Sequence, residues 1–333
     1  MNVEVTVTQK QYLEAIGFTS YAYLRKEITR YSGMGGQKTR TLGEYIENFI
    51  YGKIAEFAFK NFLEQNYNLE TLTEVDIAGF YKGIYLPDIP AFGDGTPLKF
   101  WIDIKELRRD QKWFLIPASS LTMRPYDAYV AVWVGLPEEH VLWLIENIPY
   151  VKENMGDDWK IRVTELAKEL DSINCEVKGY VTAEDISNVE EAYLEKNEES
   201  LKKIIDKFGE GGTFYFDGKT ALYDPEDDSW TGSVVGENIG YYIKSLERVS
   251  DWHELVDMIR QNQKIIGEIP IPKTKSGSIK KVVGLPEEYS SDHWRDLRLA
   301  AQDNFEKQLN IIYKNNNNNL KRIKSWFSES LKN

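Results

Sequence analysis

Only one cysteine, Cys175, occurs among 333 residues, so a disulfide framework and a cysteine-built zinc site are both excluded. Histidine is almost as scarce. His140, His253 and His293 are too few and too scattered for most histidine-rich metal sites. No apolar run approaches the roughly 20 residues of a membrane-spanning helix, and the opening MNVEVTVTQKQY holds no apolar signal-peptide core. An excess of positive charge is missing too. The formal net charge is −12 and the pI is near 5.0, which argues against a general nucleic-acid coat protein. It does not argue against a nuclease, whose site needs carboxylates for metal and only a local basic cleft. Cys175 has no histidine placed to activate it, so a thiol nucleophile is not expected.

What is present is a chain able to bury a core. Hydrophobic residues make up 42% and aromatics 13%, which excludes wholesale disorder. The acidity is local. Residues 138–230 hold 24 acidic and 10 basic residues, a net of −14, while the rest holds 29 and 31, a net of +2. The composition fits a soluble, intracellular protein of mixed α and β content.

Patterning gives the expected organisation. Helices are expected over 9–31 and from Thr41, where Thr41 and Glu44 match a capping box, to about Gln65. In the latter, Ile46, Phe49, Ile50, Ile54, Phe57, Ala58 and Phe62 recur at spacings of three and four, so one face is buried. The segments 75–80 and 83–86 read as short β-runs. Pro87 to Phe92, the Gly93-Asp-Gly95 turn and the apolar run 98–107 read as a hairpin. A loop with a short helix is expected over 108–125. Residues 126–136 read as a strand covered on both faces, and 138–208 as polar helices. A hairpin is expected at 213–216 and 220–223, then helices over 236–263 and 290–330, the last interrupted by Asn315 to Asn319.

The chemistry concentrates in 52–105. Gly52-Lys-Ile-Ala-Glu56 lies on the long helix, Pro87-Asp88 opens the hairpin, and Asp103-Ile-Lys105 lies on its return strand. Residues two apart on a strand share a face, so Asp103 and Lys105 point together while Ile102 and Ile104 enter the core. The hairpin sets Asp88 across from Asp103. Two close carboxylates repel, and a hard divalent cation resolves that. Asp88, Asp103 and the Ile104 carbonyl are therefore candidate Mg²⁺ ligands. Lys105 is a candidate for stabilising charge on phosphorus and for positioning or deprotonating water, and Glu56 for a second metal or for orienting that water. Acid-x-lysine triplets end at Lys105, Lys112, Lys160, Lys178 and Lys219. Only the first reads as lying on a hydrophobic strand with Pro-Asp upstream. Asp76 and Asp94 are rivals of Asp88, one a strand too early and the other at a turn tip.

This order, helix Glu, Pro-Asp, then Asp-x-Lys on a strand, resembles the PD-(D/E)XK nucleases, and PDIPAFGDGTPLKFWIDIK is similar to the active-site hairpin of EcoRV-like type II restriction endonucleases. The resemblance covers about residues 44–136. It implies an α/β (α+β) restriction-endonuclease-like core, a mixed central sheet flanked by helices. On that reading 1–137 is the catalytic core, 138–235 an acidic helical insertion with a hairpin in the same globule, and 236–333 a helical C-terminal region for DNA recognition or dimerisation. It implies a Mg²⁺-dependent homodimer of the prokaryotic cytoplasm. That dimer cuts double-stranded DNA at a short palindrome to leave 5′-phosphates, with a cognate DNA methyltransferase acting on the same site.

Candidate DNA contacts are Lys38 and Arg40 in the Gly-rich loop, Arg108, Arg109 and Lys112 just after the active strand, and Ser119, Ser120 and Arg124. The region from Thr231 to Lys244 is a candidate recognition loop. The basic tail Lys321-Arg-Ile-Lys324 is a candidate for dimerisation, core packing or DNA contact, in that order. Two alternatives stay open: a repair or recombination nuclease with the same core, and a non-catalytic acidic binding protein whose carboxylates form structural ion pairs.

Overall fold

A computed structural model describes residues 3–24, 42–77, 87–96, 98–108, 110–117, 126–146, 153, 156–194, 197–209, 213–215, 220–224, 229–234 and 238–263. Lys38, Arg40, Arg109, Ser119, Ser120, Arg124, His293, the expected run 83–86 and the whole segment from 264 onward lie outside the described residues.

The main sheet has the order β1-β7-β6-β4, from β1 (Val3–Thr8), β4 (Ile102–Leu107), β6 (Ala128–Val134) and β7 (Ser172–Thr182), while the short strands β2 (Thr71–Leu72) and β3 (Ala91–Phe92) pair with each other. Strands β4 and β6 run parallel with Ile102 opposite Ala128, and the other two pairs are antiparallel. Strand β6 is buried at every position but Trp133, as its apolar run predicts. Helix α1 (Gln9–Leu24) leads into α2 (Leu42–Tyr67), which lies across one face of the sheet. Ile54, Phe57 and Phe62 of α2 are fully enclosed, each contributing about 1.5–3 kcal/mol of burial. The core on this face also takes Trp252, Leu255, Val256 and Ile259 of a C-terminal helix (Trp252–Gln261).

The opposite face packs Leu107, Tyr129, Ala131 and Val181 against a second layer. That layer contains the helices Ala183–Leu194, Glu198–Phe208 and Ile243–Val249, and a three-stranded sheet. Its strands are β5 (Trp113–Pro117), β8 (Thr213–Tyr215) and β11 (Asn238–Tyr242), in the order β5-β11-β8. The chain is thus a mixed α/β fold. Among the described residues, no helix is long and apolar enough to cross a membrane.

Several expectations are corrected. Glu74–Ile77 is one helical turn rather than a strand, because Thr73 and Asp76 close a capping interaction: the Thr73 amide donates to Asp76 Oδ2 at 2.9 Å. Within 108–125, Trp113–Pro117 is a strand paired with β11. The acidic block is not a helical insertion added to a core of 1–137, since its β7 stands between β1 and β6 in the main sheet. Ile173, Cys175 and Val177 point inward and Asn174 and Glu176 outward, a period-2 pattern embedded in Glu- and Lys-rich helices. Cys175 is therefore a buried strand residue whose thiol burial pushes up to about 12. The expected hairpin at 213–223 pairs otherwise, β8 with β11 and β9 (Thr220–Asp224) with β10 (Ser229–Val234). Residues 238–242 are strand, so the candidate recognition loop is built largely from β10, β11 and the start of the helix Ile243–Val249.

Candidate active site

The site stands at one edge of the main sheet. Strand β4 is not central: among the described residues it pairs only with β6, and its outer edge meets the 87–101 segment. That segment folds back as a turn. The Phe92 amide donates to the Thr96 carbonyl at 2.9 Å, Leu98 to Pro90 at 2.9 Å, and Asp88 to Ile102 at 3.2 Å. Asp88 Oδ2 then accepts the Ile104 amide at 2.6 Å, so residue 88 bridges 102 and 104 and lies opposite Asp103. Amide and carbonyl of one strand residue face the same side. The Ile104 carbonyl therefore opens toward the edge that Asp88 occupies.

Asp103 is buried at 5% exposure, and Lys105 is half-buried with its Nζ 2.7 Å from Asp103 Oδ2. Despite that ion pair, Oδ2 accepts no well-directed hydrogen bond. Residues 102 and 104 pack toward α2, while 101 and 107 belong to the opposite core. The alternation places Asp103 and Lys105 on the latter side, as their spacing predicts.

From α2 comes Glu56, 4% exposed. Its Oε1 accepts from Lys53 Nζ at 2.5 Å, and its Oε2 has no hydrogen-bond partner. Lys53, equally buried, also bonds Glu74 at 2.7 Å. Lys53 and Glu74 were not singled out from the sequence. The available signal was the i,i+3 spacing of Lys53 and Glu56 on the apolar face of a helix, where a lysine is rare unless paired.

Electrostatics tie these groups together. Burial, then the Asp103 charge, push the Asp88 carboxyl up to about 7 against the pull of Lys53 and Lys105. Burial, with Asp88 and Glu74 adding, holds the Glu56 carboxyl well above the usual range despite Lys53. Burial opposes the Lys105 ammonium, but Asp103 and Asp88 outweigh it, so its proton is held more firmly than in free lysine. The resting site thus keeps Lys105 as an ammonium. Asp88 links two ion-pair groups, Lys53 with Glu56 and Glu74 on the α2 side and Lys105 with Asp103 on the other; counted as fully ionised, these six groups carry a formal charge of −2.

The rivals of Asp88 are occupied elsewhere. Asp76 pairs with Lys60 at 2.7 Å and caps Thr73, and exposed Asp94 accepts the Thr96 amide at 2.8 Å. Arg108 is folded back, with its guanidinium 3.4 Å from the Tyr51 ring centre and bonds to Glu47 and Asn48. It is thus fastened to α2. Lys112 is exposed. His140 is enclosed, its Nδ1 2.7 Å from Tyr12 Oη, and burial lowers it to about 4; His253 is exposed beside Tyr67.

Among the described residues, no group of three or more His, Cys, Asp or Glu side chains converges as a metal cage. Mg²⁺ does not require one: it keeps several waters and takes one or two carboxylates plus substrate phosphate. The donors present fit that habit, namely the free Asp88 Oδ1, Asp103 Oδ2 without a directed donor, and the Ile104 carbonyl. No family model, curated protein or solved structure matches the chain.

Proposed function

We propose that the protein is a Mg²⁺-dependent endonuclease of the PD-(D/E)XK kind, acting on double-stranded DNA as a type II restriction enzyme does. The observation that carries this reading is the pair of carboxylates, Asp88 and Asp103, set together at the β4 edge by the Ile104 amide and the half-buried Lys105 ammonium, two formal negative charges beside one cation. A group of that charge takes up protons or a divalent cation. The same face offers an ammonium to a polyanionic substrate.

Asp88, Asp103 and the Ile104 carbonyl would hold the metal, which when bound supplies charge neutralisation at the scissile phosphate and a more acidic water. Asp88 keeps its place through the Ile104 amide, and Asp103 through Lys105. The Lys105 ammonium stabilises negative charge growing on the phosphate oxygens. Glu56, its Oε2 without a hydrogen-bond partner and enclosed in the resting chain, would orient the attacking water and take its proton once bound substrate and metal bring water to it. The water oxygen bonds to phosphorus and the P–O3′ bond breaks. The 3′ oxygen gains a proton, leaving a 5′-phosphate and a 3′-hydroxyl. A homodimer with two such sites suits the two strands of a palindrome.

The test is incubation with unmethylated plasmid DNA and Mg²⁺, with EDTA as control, followed by end-sequencing. Discrete fragments with fixed 5′-phosphate ends, absent in EDTA, support the assignment. Cutting confined to branched or damaged DNA moves it to a repair or recombination nuclease. No cleavage and no DNA affinity at low salt move it to a non-catalytic binding protein.

A further inference from the structure

Lys53 has no assigned part in the chemistry above, yet it is the most enclosed cation of the site. It is 4% exposed, its Nζ lies 5.3 Å from the Phe18 ring centre, and it bonds Glu56 at 2.5 Å and Glu74 at 2.7 Å. An ammonium has three donors, and two are spent on these acids. Glu56 Oε2, equally walled off from water, is left without a donor. An oxygen in that state is what an incoming cation would take, but any cation doing so meets the ammonium on the same carboxylate.

We propose that Lys53 is the resident countercation of this site: it holds Glu56 and Glu74 in the metal-free protein and withholds Glu56 from a divalent cation. The inference rests on reading the β4 edge as a divalent-cation site. It assigns Lys53 as a positioning residue, which keeps Glu56 free to orient water by denying it to the metal. Lys53 and a cation compete for one carboxylate, so removing the ammonium charge strengthens cation binding, and the gain depends on Glu56.

The experiment is calorimetric titration of MnCl₂ into the full chain without DNA. Lys53→Gln keeps an N–H for Glu56 and drops the charge; its Kd for Mn²⁺ is expected to fall about fivefold or more. In Lys53→Gln/Glu56→Gln that gain is expected to vanish. Glu56→Gln alone, which lightens the buried charge and is the safer variant to fold, is expected to stay within about twofold of wild type. Equal affinity in Lys53→Gln, a gain that survives in the double variant, or a fivefold loss in Glu56→Gln overturns the proposal. Asp103→Asn separates the two readings. If it weakens Mn²⁺ binding while Lys53→Gln changes nothing, the metal site stands and the role of Lys53 falls. If wild type binds no Mn²⁺, both fall.

Discussion

Two strands of the same sheet carry an acid-x-lysine triplet. On β4 it is Asp103-Ile-Lys105, and on β7 it is Glu176-Val-Lys178. Each lysine pairs with its own acid, at 2.7 Å on β4 and 2.5 Å on β7, and each triplet meets a further carboxylate. On β7 that carboxylate is Glu247, 3.1 Å from Lys178 and 22% exposed, so the ion pairs close on themselves near water. On β4 it is Asp88, coupled in turn to Lys53 and Glu74 from the α2 side and left with uncompensated charge. The tripeptide alone therefore specifies no chemistry. What distinguishes the β4 edge is that the turn bringing its second acid, Asp88, also meets the buried helix that brings a third, Glu56.

The comparison breaks most readily at the level of turnover. Asp103→Asn is expected to lower Mg²⁺-dependent DNA cleavage by about 10³-fold or more with the fold kept. Lys178→Ala is expected to leave cleavage within about twofold, as its partners Glu176 and Glu247 take no part at the β4 edge. Rates on plasmid substrate, with circular dichroism of each variant, check both. Loss of cleavage in Lys178→Ala would erase the distinction.

A smaller effect follows from pH. The Asp88 carboxyl is raised in the folded chain, to about 7 against an ordinary value of 3.8. The folded state then binds more protons than the unfolded one across that window. In EDTA, its contribution to stability falls as pH climbs from about 4 to about 7. Asp88→Asn, which keeps an oxygen for the Ile104 amide, should flatten that fall in urea midpoints measured across the window. His140 acts with the opposite sign: lowered to about 4 by burial, it contributes stability above pH 6.5 that is lost as pH drops toward 4. A wild-type profile unchanged in Asp88→Asn would mean that the acid is not strained by its neighbours.

Much of the site was legible because its parts are local. Glu56, Asp88, Asp103 and Lys105 lie in one stretch of helix, turn and strand, and in the structure Asp88 interacts with Asp103 and Lys105 at the β4 edge and with Glu56 on the α2 side. Lys53 and Glu74 were missed because a lysine within a helix reads as solvent-facing until the helix is seen buried almost all round from Tyr51 to Leu63. In the fold, α2 was legible from apolar residues three and four apart, and β6 from its nearly unbroken apolar run. Strand β7 was not, because its outward Asn174, Glu176 and Lys178 merge with the Glu- and Lys-rich helical pattern on either side. That same misreading removed Glu176 and Lys178 from consideration as a strand triplet.

The smallest effect sharpens the β7 side. Lys178→Met breaks pairs with Glu176 and Glu247 that remain partly hydrated. It should cost about 0.5–1 kcal/mol in chemical denaturation. A loss of several kcal/mol would show that the β7 network is as electrostatically strained as the β4 edge.

The most direct measurement is anomalous diffraction from crystals of the full chain grown with Mn²⁺. The account predicts one strong peak about 2 Å from oxygens of Asp88 and Asp103 and from the Ile104 carbonyl, and none between Glu176 and Glu247. Mn²⁺ bound elsewhere, with the β4 edge carrying only its lysines and protons, would contradict it.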